Sequence, residues 1–214
     1  MNKFEINQTN FPHLWLLFQY AVGGNVDKQR LILQTYHGEP TVLEVGCSVG
    51  NLADVFRKIS EVAYHGLDVD ASAIALAQRR FRAYPNFTFT CADLAQFSRD
   101  AQPFDLVYLA GVLHHLPDPE ALRLIRSVLP LLAFHTRLLI VEPRPALPAD
   151  TPLVRWYANT LEQGHHLRSV EALQALVGAV PALKISDVQV VPIGATPFSW
   201  PLCAHFIVME LTLC

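Results

Sequence analysis

Residues 41–52 read TVLEVGCSVGNL, a β-branched, apolar run broken only by Glu44 and followed at once by a turn that holds Gly46 and Gly50. Apolar residues resume at helical spacing over 53–59, so 46–50 is expected to be a strand-to-helix turn. Glycines at such a turn accept positive φ and let a ligand approach the backbone, while a helix N-terminus offers unpaired N–H groups to a polar or anionic group. Asp68 closes the next apolar run, VAYHGLD. A carboxylate at the carboxyl end of the neighbouring strand can accept both hydroxyls of a ribose. Turn and acid together predict a ligand that contains adenosine.

What the turn lacks narrows the ligand. A dinucleotide fingerprint asks for G-x-G-x-x-G, and here its second and third glycines are Ser48 and Asn51, which disfavours a pyrophosphate. The series E-V-G-C-S-V-G, G-L-D-V-D, C-A-D-L, F-D-L-V-Y and G-V-L-H-H-L-P-D runs in order over roughly residues 40 to 145. In that order and spacing it resembles the class I S-adenosylmethionine-dependent methyltransferases, the small-molecule branch in particular. The resemblance implies that Gly46, Ser48 and Gly50 lie beneath the methionine end of S-adenosylmethionine and that Asp68 holds the ribose. It implies further that Val69 packs on the adenine, Asp93 accepts from the adenine amine, Leu94 offers a backbone N–H, and Ala110 and Gly111 line the methionine moiety. Ser48 stands where the family most often has its middle glycine, and adds a hydroxyl near the cofactor.

The strand and helix signals alternate: a helix over 71–83, strands over 87–91 and 104–109, a helix over 119–132 and a strand over 137–142. Asp118 is expected to cap the helix that Pro119 opens. Helical patterns over 152–163 and 170–180, the second capped by Ser169, precede strands near 185–192 and 205–213. Such alternation implies right-handed crossovers and a mostly parallel sheet with helices on both faces, the ligand crevice lying at the strands' carboxyl ends. The fold class is α/β: a Rossmann-like, doubly wound sheet, which the resemblance makes seven-stranded with an antiparallel last strand. A single domain is expected, divided into an N-terminal helical lid (1–39), a cofactor-binding core (40–145), an acceptor-side cap (146–183) and a C-terminal hairpin (184–214). Within the lid, residues 11–22 suit an amphipathic helix too short to span a bilayer, and Tyr20, Gly23, Gly24 and Arg30 are candidates for the methionine carboxylate.

Composition excludes other partners. With 51% hydrophobic and 16% charged residues, the 214-residue chain can bury a sizeable core. A net charge of −3 carries no electrostatic footprint for nucleic acid, so a small-molecule methyl acceptor is expected, with no nucleic acid and no membrane insertion. Cys47, Cys91, Cys203 and Cys214 lack a C-x-x-C spacing, which suits a reducing cytoplasm and neither disulfides nor zinc. The oligomeric state is not written in the sequence.

Methyl transfer needs the acceptor lone pair in line with the donor methyl, and a base only when the acceptor must lose a proton. His114 and His115 follow the strand over 104–109 and so fall at the crevice; His115 is the candidate base, against a reading in which one imidazole hydrogen-bonds the loop backbone and the other packs. His165, His166 and Arg168 could contact an anionic or hydroxylated acceptor, and Trp156, Tyr157, Phe198 and Trp200 could wall its pocket. No metal site is expected, since neighbouring histidines rarely ligate one ion together. The function expected is methyl transfer to a small molecule, oxygen ahead of nitrogen or carbon. Three alternatives share parts of this pattern: an NAD(P)-dependent oxidoreductase, a non-catalytic S-adenosylmethionine-binding protein, and a serine hydrolase with Ser48 in G-x-S-x-G, Asp105 or Asp118 as acid and His205 as base.

Overall fold

Seven strands form one sheet in the order β3-β2-β1-β4-β5-β7-β6. The computed structural model describes residues 25–160, 164–194 and 200–214. The strands are β1 (Thr41–Val45), β2 (Ala63–Asp68), β3 (Phe87–Cys91), β4 (Phe104–Ala110), β5 (Leu132–Pro143), β6 (Leu183–Gly194) and β7 (Leu202–Leu213). Pairings from β3 to β5 are parallel, whereas β7 runs antiparallel to both β5 and β6. The helices are α1 (Asn25–Thr35), α2 (Ala71–Arg80), α3 (Leu94–Phe97), α4 (Asp118–Val128), α5 (Pro152–Thr160) and α6 (Val170–Gly178).

Alternation along the central strands sends successive side chains into two cores. Leu43 and Val45 of β1, Val107 and Leu109 of β4, and Leu138 and Ile140 of β5 meet Ala121, Ile125 and Val128 of α4 and Leu173 and Val177 of α6. On the other face Val42, Leu106, Tyr108, Leu139 and Val141 meet Leu31 and Ile32 of α1, Phe56, and Ile74 and Ala77 of α2. Each fully buried aliphatic side chain contributes about 1.5–3 kcal/mol, so the strands that carry the site are also the most heavily anchored.

Several local expectations change. The run after the glycine turn forms only a six-residue 3₁₀ turn, Ala53–Lys58, because Ile59 is already extended on the way to β2. Asp118 does not cap α4; Pro117 occupies that position, Asp118 is the first helical residue, and its carboxylate accepts from Arg168. Ser169 does cap α6, accepting from the Ala172 amide at 3.2 Å. α2 is capped by Asp70, which accepts from Ser72 and Ala73. The helix expected over 11–22, with Tyr20, Gly23 and Gly24, lies outside the described residues, as does Phe198. Among the described residues no helix is long and apolar enough to cross a membrane.

Candidate functional site

β1 ends in a chain reversal that its glycines make sterically possible. Gly46 sits at φ +78° and Gly50 at +77°, and a β-carbon on Gly46 would lie 2.4 Å from Val112 Cγ2. Ser48, between them, adopts φ +50° despite its side chain. Non-glycine residues rarely hold that conformation without support. Here the support comes from Asp68 at the end of β2: its Oδ2 accepts from the Ser48 amide at 2.7 Å and its Oδ1 from the Asp70 amide at 2.9 Å. Gly46 and Cys47 donate to the Leu67 carbonyl, so turn and acid are tied to the same strand end.

Beyond Asp68, Val69 is 72% exposed, an apolar side chain left open beside the turn. Asp93 caps α3 through the Ala95 amide at 2.8 Å, and Leu94 is buried behind it. Ala110 ends β4, and Gly111 follows at φ +70°. Gly46, Ser48, Asp68, Val69, Asp93, Leu94, Ala110 and His115 all line one cavity of about 620 Å³, within the range of small-molecule sites; Gly50 lies behind the turn against Phe81.

His114 and His115 line the same cavity, and a buried carboxylate that does not line it holds the first of them. Glu142 continues the Leu138–Ile140 face of β5 and is 4% exposed. Its Oε1 accepts from the Val112 and Leu113 amides at 2.8 and 2.7 Å; its Oε2 accepts from the His114 amide at 3.2 Å and pairs with His114 Nδ1 at 2.6 Å. A carboxylate can only accept, so in this pair Nδ1 carries the proton. His114 is 6% exposed; His115 is exposed, with its ring centroid 4.1 Å from that of His114.

Glu44 lies in the cavity floor, 3% exposed, with the Tyr64 hydroxyl donating to Oε2. Burial pushes its carboxyl up to about 8, offset in part by the Tyr64 hydrogen bond and reinforced by Asp68. Burial likewise raises the Cys47 thiol and the Tyr64 hydroxyl well above their ordinary values. On the opposite wall Asn25 Nδ2 and Asn51 Oδ1 are buried without a hydrogen-bond partner, although Gln29 anchors the Asn51 carbonyl at 2.7 Å. Buried amide atoms left unpaired beside a cavity fit a polar ligand there.

A family model described as a methyltransferase domain matches residues 42–133, the stretch from β1 into β5 that carries the turn, Asp68, Asp93 and His114. Over this stretch, somewhat under half of the chain, the protein is similar to methyltransferase domains. A ubiquinone biosynthesis O-methyltransferase of Coxiella burnetii is 31% identical over 101 residues, 47% of this chain and 40% of that protein. The chain therefore spans well under two thirds of that relative. Among solved structures, mitomycin 7-O-methyltransferase superposes with a TM-score of 0.69 at 17% identity, covering 89% of this chain and 54% of that one. The N-methyltransferase NodS from Bradyrhizobium japonicum, in complex with S-adenosyl-L-homocysteine, gives 0.62 at 18% identity, covering 88% and 85%. At these identities both structures speak for the fold alone.

Most of the other candidates fall away from this cavity. Arg168 is turned inward and bonded to Asp118 and backbone carbonyls, while His165 and His166 are exposed. Tyr157 lines the cavity, but Trp156 and Trp200 are 53% and 76% exposed. Arg30 pairs with Asp27 at 2.9 Å on the surface. The hydrolase constellation does not assemble: Asp105 bonds Thr41 at the far end of β1 from Ser48, and His205 lies 3.7 Å from Asp150. Sequence reasoning passed over Glu142, Asn25, and Glu44 as a cavity residue. The one available signal was an acid embedded in an apolar strand, which both Glu44 and Glu142 are.

Proposed function

We propose that this protein transfers the methyl group of S-adenosylmethionine to a hydroxyl oxygen of a small molecule, and that His114 is the base. The cofactor supplies a methyl group activated by its sulfonium. For its binding, Asp68 has lone pairs beyond those its two amides use, enough to accept ribose hydroxyls; Val69 offers an open apolar face to adenine; Asp93 can accept from the adenine amine and Leu94 donate through its N–H. Gly46, Ser48 and Ala110 bring backbone close to the amino-acid end. Asn25 and Asn51 add one unspent donor and one unspent acceptor.

The observation that carries the choice of oxygen is His114 on the cavity wall, paired through Nδ1 with the buried Glu142. A hydroxyl must lose its proton as the new bond forms, and an imidazole whose Nδ1–H is held by a carboxylate is oriented to take that proton at Nε2. Choosing His114 over its neighbour follows from the partner: His114 has Glu142, whereas His115 stands at the exposed rim. Tyr157 of α5, which lines the cavity, supports reading residues 146–183 as its acceptor side. The four free cysteines fit a cytoplasmic setting.

The test begins with calorimetric titration of S-adenosylmethionine and S-adenosylhomocysteine. Radiolabelled methyl transfer to a panel of phenols, catechols and amines follows, with wild type and His114→Gln. Labelled oxygen products that fall by about 10²-fold or more in the variant, with cofactor affinity kept, support the assignment. Transfer confined to amines, or oxygen transfer indifferent to the substitution, overturns it.

A further inference from the structure

The segment that leads into α6, residues 164–168, reads GHHLR, and its arginine is 9% exposed. A charge so placed must be spent on partners. Arg168 Nε and Nη2 donate to Asp118 Oδ1 at 2.9 and 2.8 Å. Its Nη1 donates to the Leu113 carbonyl at 2.7 Å and the His166 carbonyl at 3.2 Å, and its Nη2 to the Leu116 carbonyl at 2.7 Å. Between those two leucines lie His114 and His115. The His166 amide reaches the same loop, donating to the His114 carbonyl at 2.9 Å.

Gly164 closes the arrangement. A β-carbon there would lie 2.0 Å from His114 Cδ2, 2.8 Å from Cγ and 2.9 Å from the His114 carbonyl oxygen, so the backbone lies flat against the imidazole edge. Only glycine allows that approach. The loop is thus held from two directions: Glu142 accepts from the amides of Val112, Leu113 and His114, while the strap 164–168 donates to the carbonyls of Leu113, His114 and Leu116.

We propose that the strap 164–168, pinned by Arg168, is a positioning element for His114: it fixes the loop backbone and leaves the imidazole only the orientation that turns Nδ1 to Glu142. Neither Arg168 nor Gly164 lines the cavity, so both act through His114. The planar fork of a guanidinium suits this task, since it serves several acceptors at fixed angles where an ammonium serves them singly. The inference rests on the reading of His114 as base.

Nitrogen-15 histidine spectra of the uniformly labelled protein read the device directly, because the two ring nitrogens report which carries the proton. In wild type one histidine is expected to be locked as the Nδ1–H form, assigned by its loss in His114→Gln, and released in Glu142→Gln with the strap intact. Absence of that locked ring in wild type sinks the reading of His114 itself. With the lock established, Arg168→Lys keeps the charge and loses the fork; near-ultraviolet dichroism and a cooperative denaturant transition certify its fold. The Nδ1–H form should then fall from dominant to a minority, a change that loss of stability alone does not produce in a folded protein. Gly164→Ala, whose methyl invades the imidazole edge, should do the same and decides the matter if Arg168→Lys does not fold. A ring that stays locked in the folded variant overturns the proposal.

Discussion

Replacing Glu44 with glutamine should change how the fold's stability depends on pH, by an amount that follows from burial. In the unfolded chain this carboxyl ionises near its ordinary 4.5; folded, it holds its proton up to about 8. Below 4.5 both states are protonated and nothing is lost. As pH rises from there the unfolded chain releases the proton and the native state keeps it, so stability falls by up to about 1.4 kcal/mol per pH unit and levels off only above the folded value. Summed from 4.5 to about 8, the loss is roughly 5 kcal/mol, a large share of the ~5–15 kcal/mol that holds a typical domain together. Glu44→Gln has nearly the same shape, and its amide oxygen can still accept from Tyr64, but it cannot ionise. Urea unfolding of both proteins at intervals from pH 4.5 to 9 isolates the effect, because every other titrating group cancels in the difference. The variant should gain on the wild type by roughly 5 kcal/mol across that interval, then run parallel to it. A difference constant to within about 1 kcal/mol would refute the reasoning, since Glu44 would then ionise as easily folded as unfolded.

Three further outcomes follow from the site. Asp68→Ala removes both amide contacts that brace Ser48 and Asp70, so stability should fall by about 1–3 kcal/mol and S-adenosylmethionine affinity at least tenfold; a variant that unfolds and binds like wild type would show the brace to be idle. Gly46→Ala combines a φ of +78° with a methyl 2.4 Å from Val112 Cγ2, and should cost about 1–3 kcal/mol or more; adding Val112→Ala should recover the clash and leave the backbone strain, so full recovery would count against strain. Glu142→Gln should lower methyl transfer to a hydroxyl by about 10²-fold while S-adenosylhomocysteine affinity holds; an equal loss of both would mean that Glu142 only supports the loop.

The half of the cavity proposed to take the cofactor was legible because each of its features is local. A β-branched run, glycines at a reversal and an acid closing the next strand each announce themselves within a few residues, and parallel pairing of β1 with β2 brings Asp68 beside Ser48. The helix expected after the turn was not legible as a 3₁₀ turn, because apolar spacing over 53–59 does not reveal how few residues remain before β2. Asp118 looked like a cap by local rules, yet a distant arginine claims its carboxylate. Ser48 looked like a plain replacement of the family's middle glycine, whereas its positive φ is held by the same acid proposed to take the ribose. A single carboxylate therefore ties the turn's shape to ligand binding, which spacing alone could not express.

The choice between two adjacent histidines shows most clearly where sequence stops and geometry begins. His114 and His115 sit in a 3₁₀ turn, Leu113–His115, where successive side chains are about 120° apart, so one faces the sheet and the other faces out. Which one faces inward depends on where the turn starts, and that is set by Glu142 receiving three consecutive amides from a strand 28 residues away in sequence. Glu142 in turn faces that loop because β5 alternates: 138, 140 and 142 share a face, and the parallel register of β4 with β5 places Ala110 opposite Val141. Shifting that pairing by one residue would send Glu142 into the opposite core and strand His114 without a partner. The proposed base is thus specified by sheet register, and a buried acid in an apolar strand, one residue beyond the last position paired with β4, is the feature by which such a pair can be sought in other sequences.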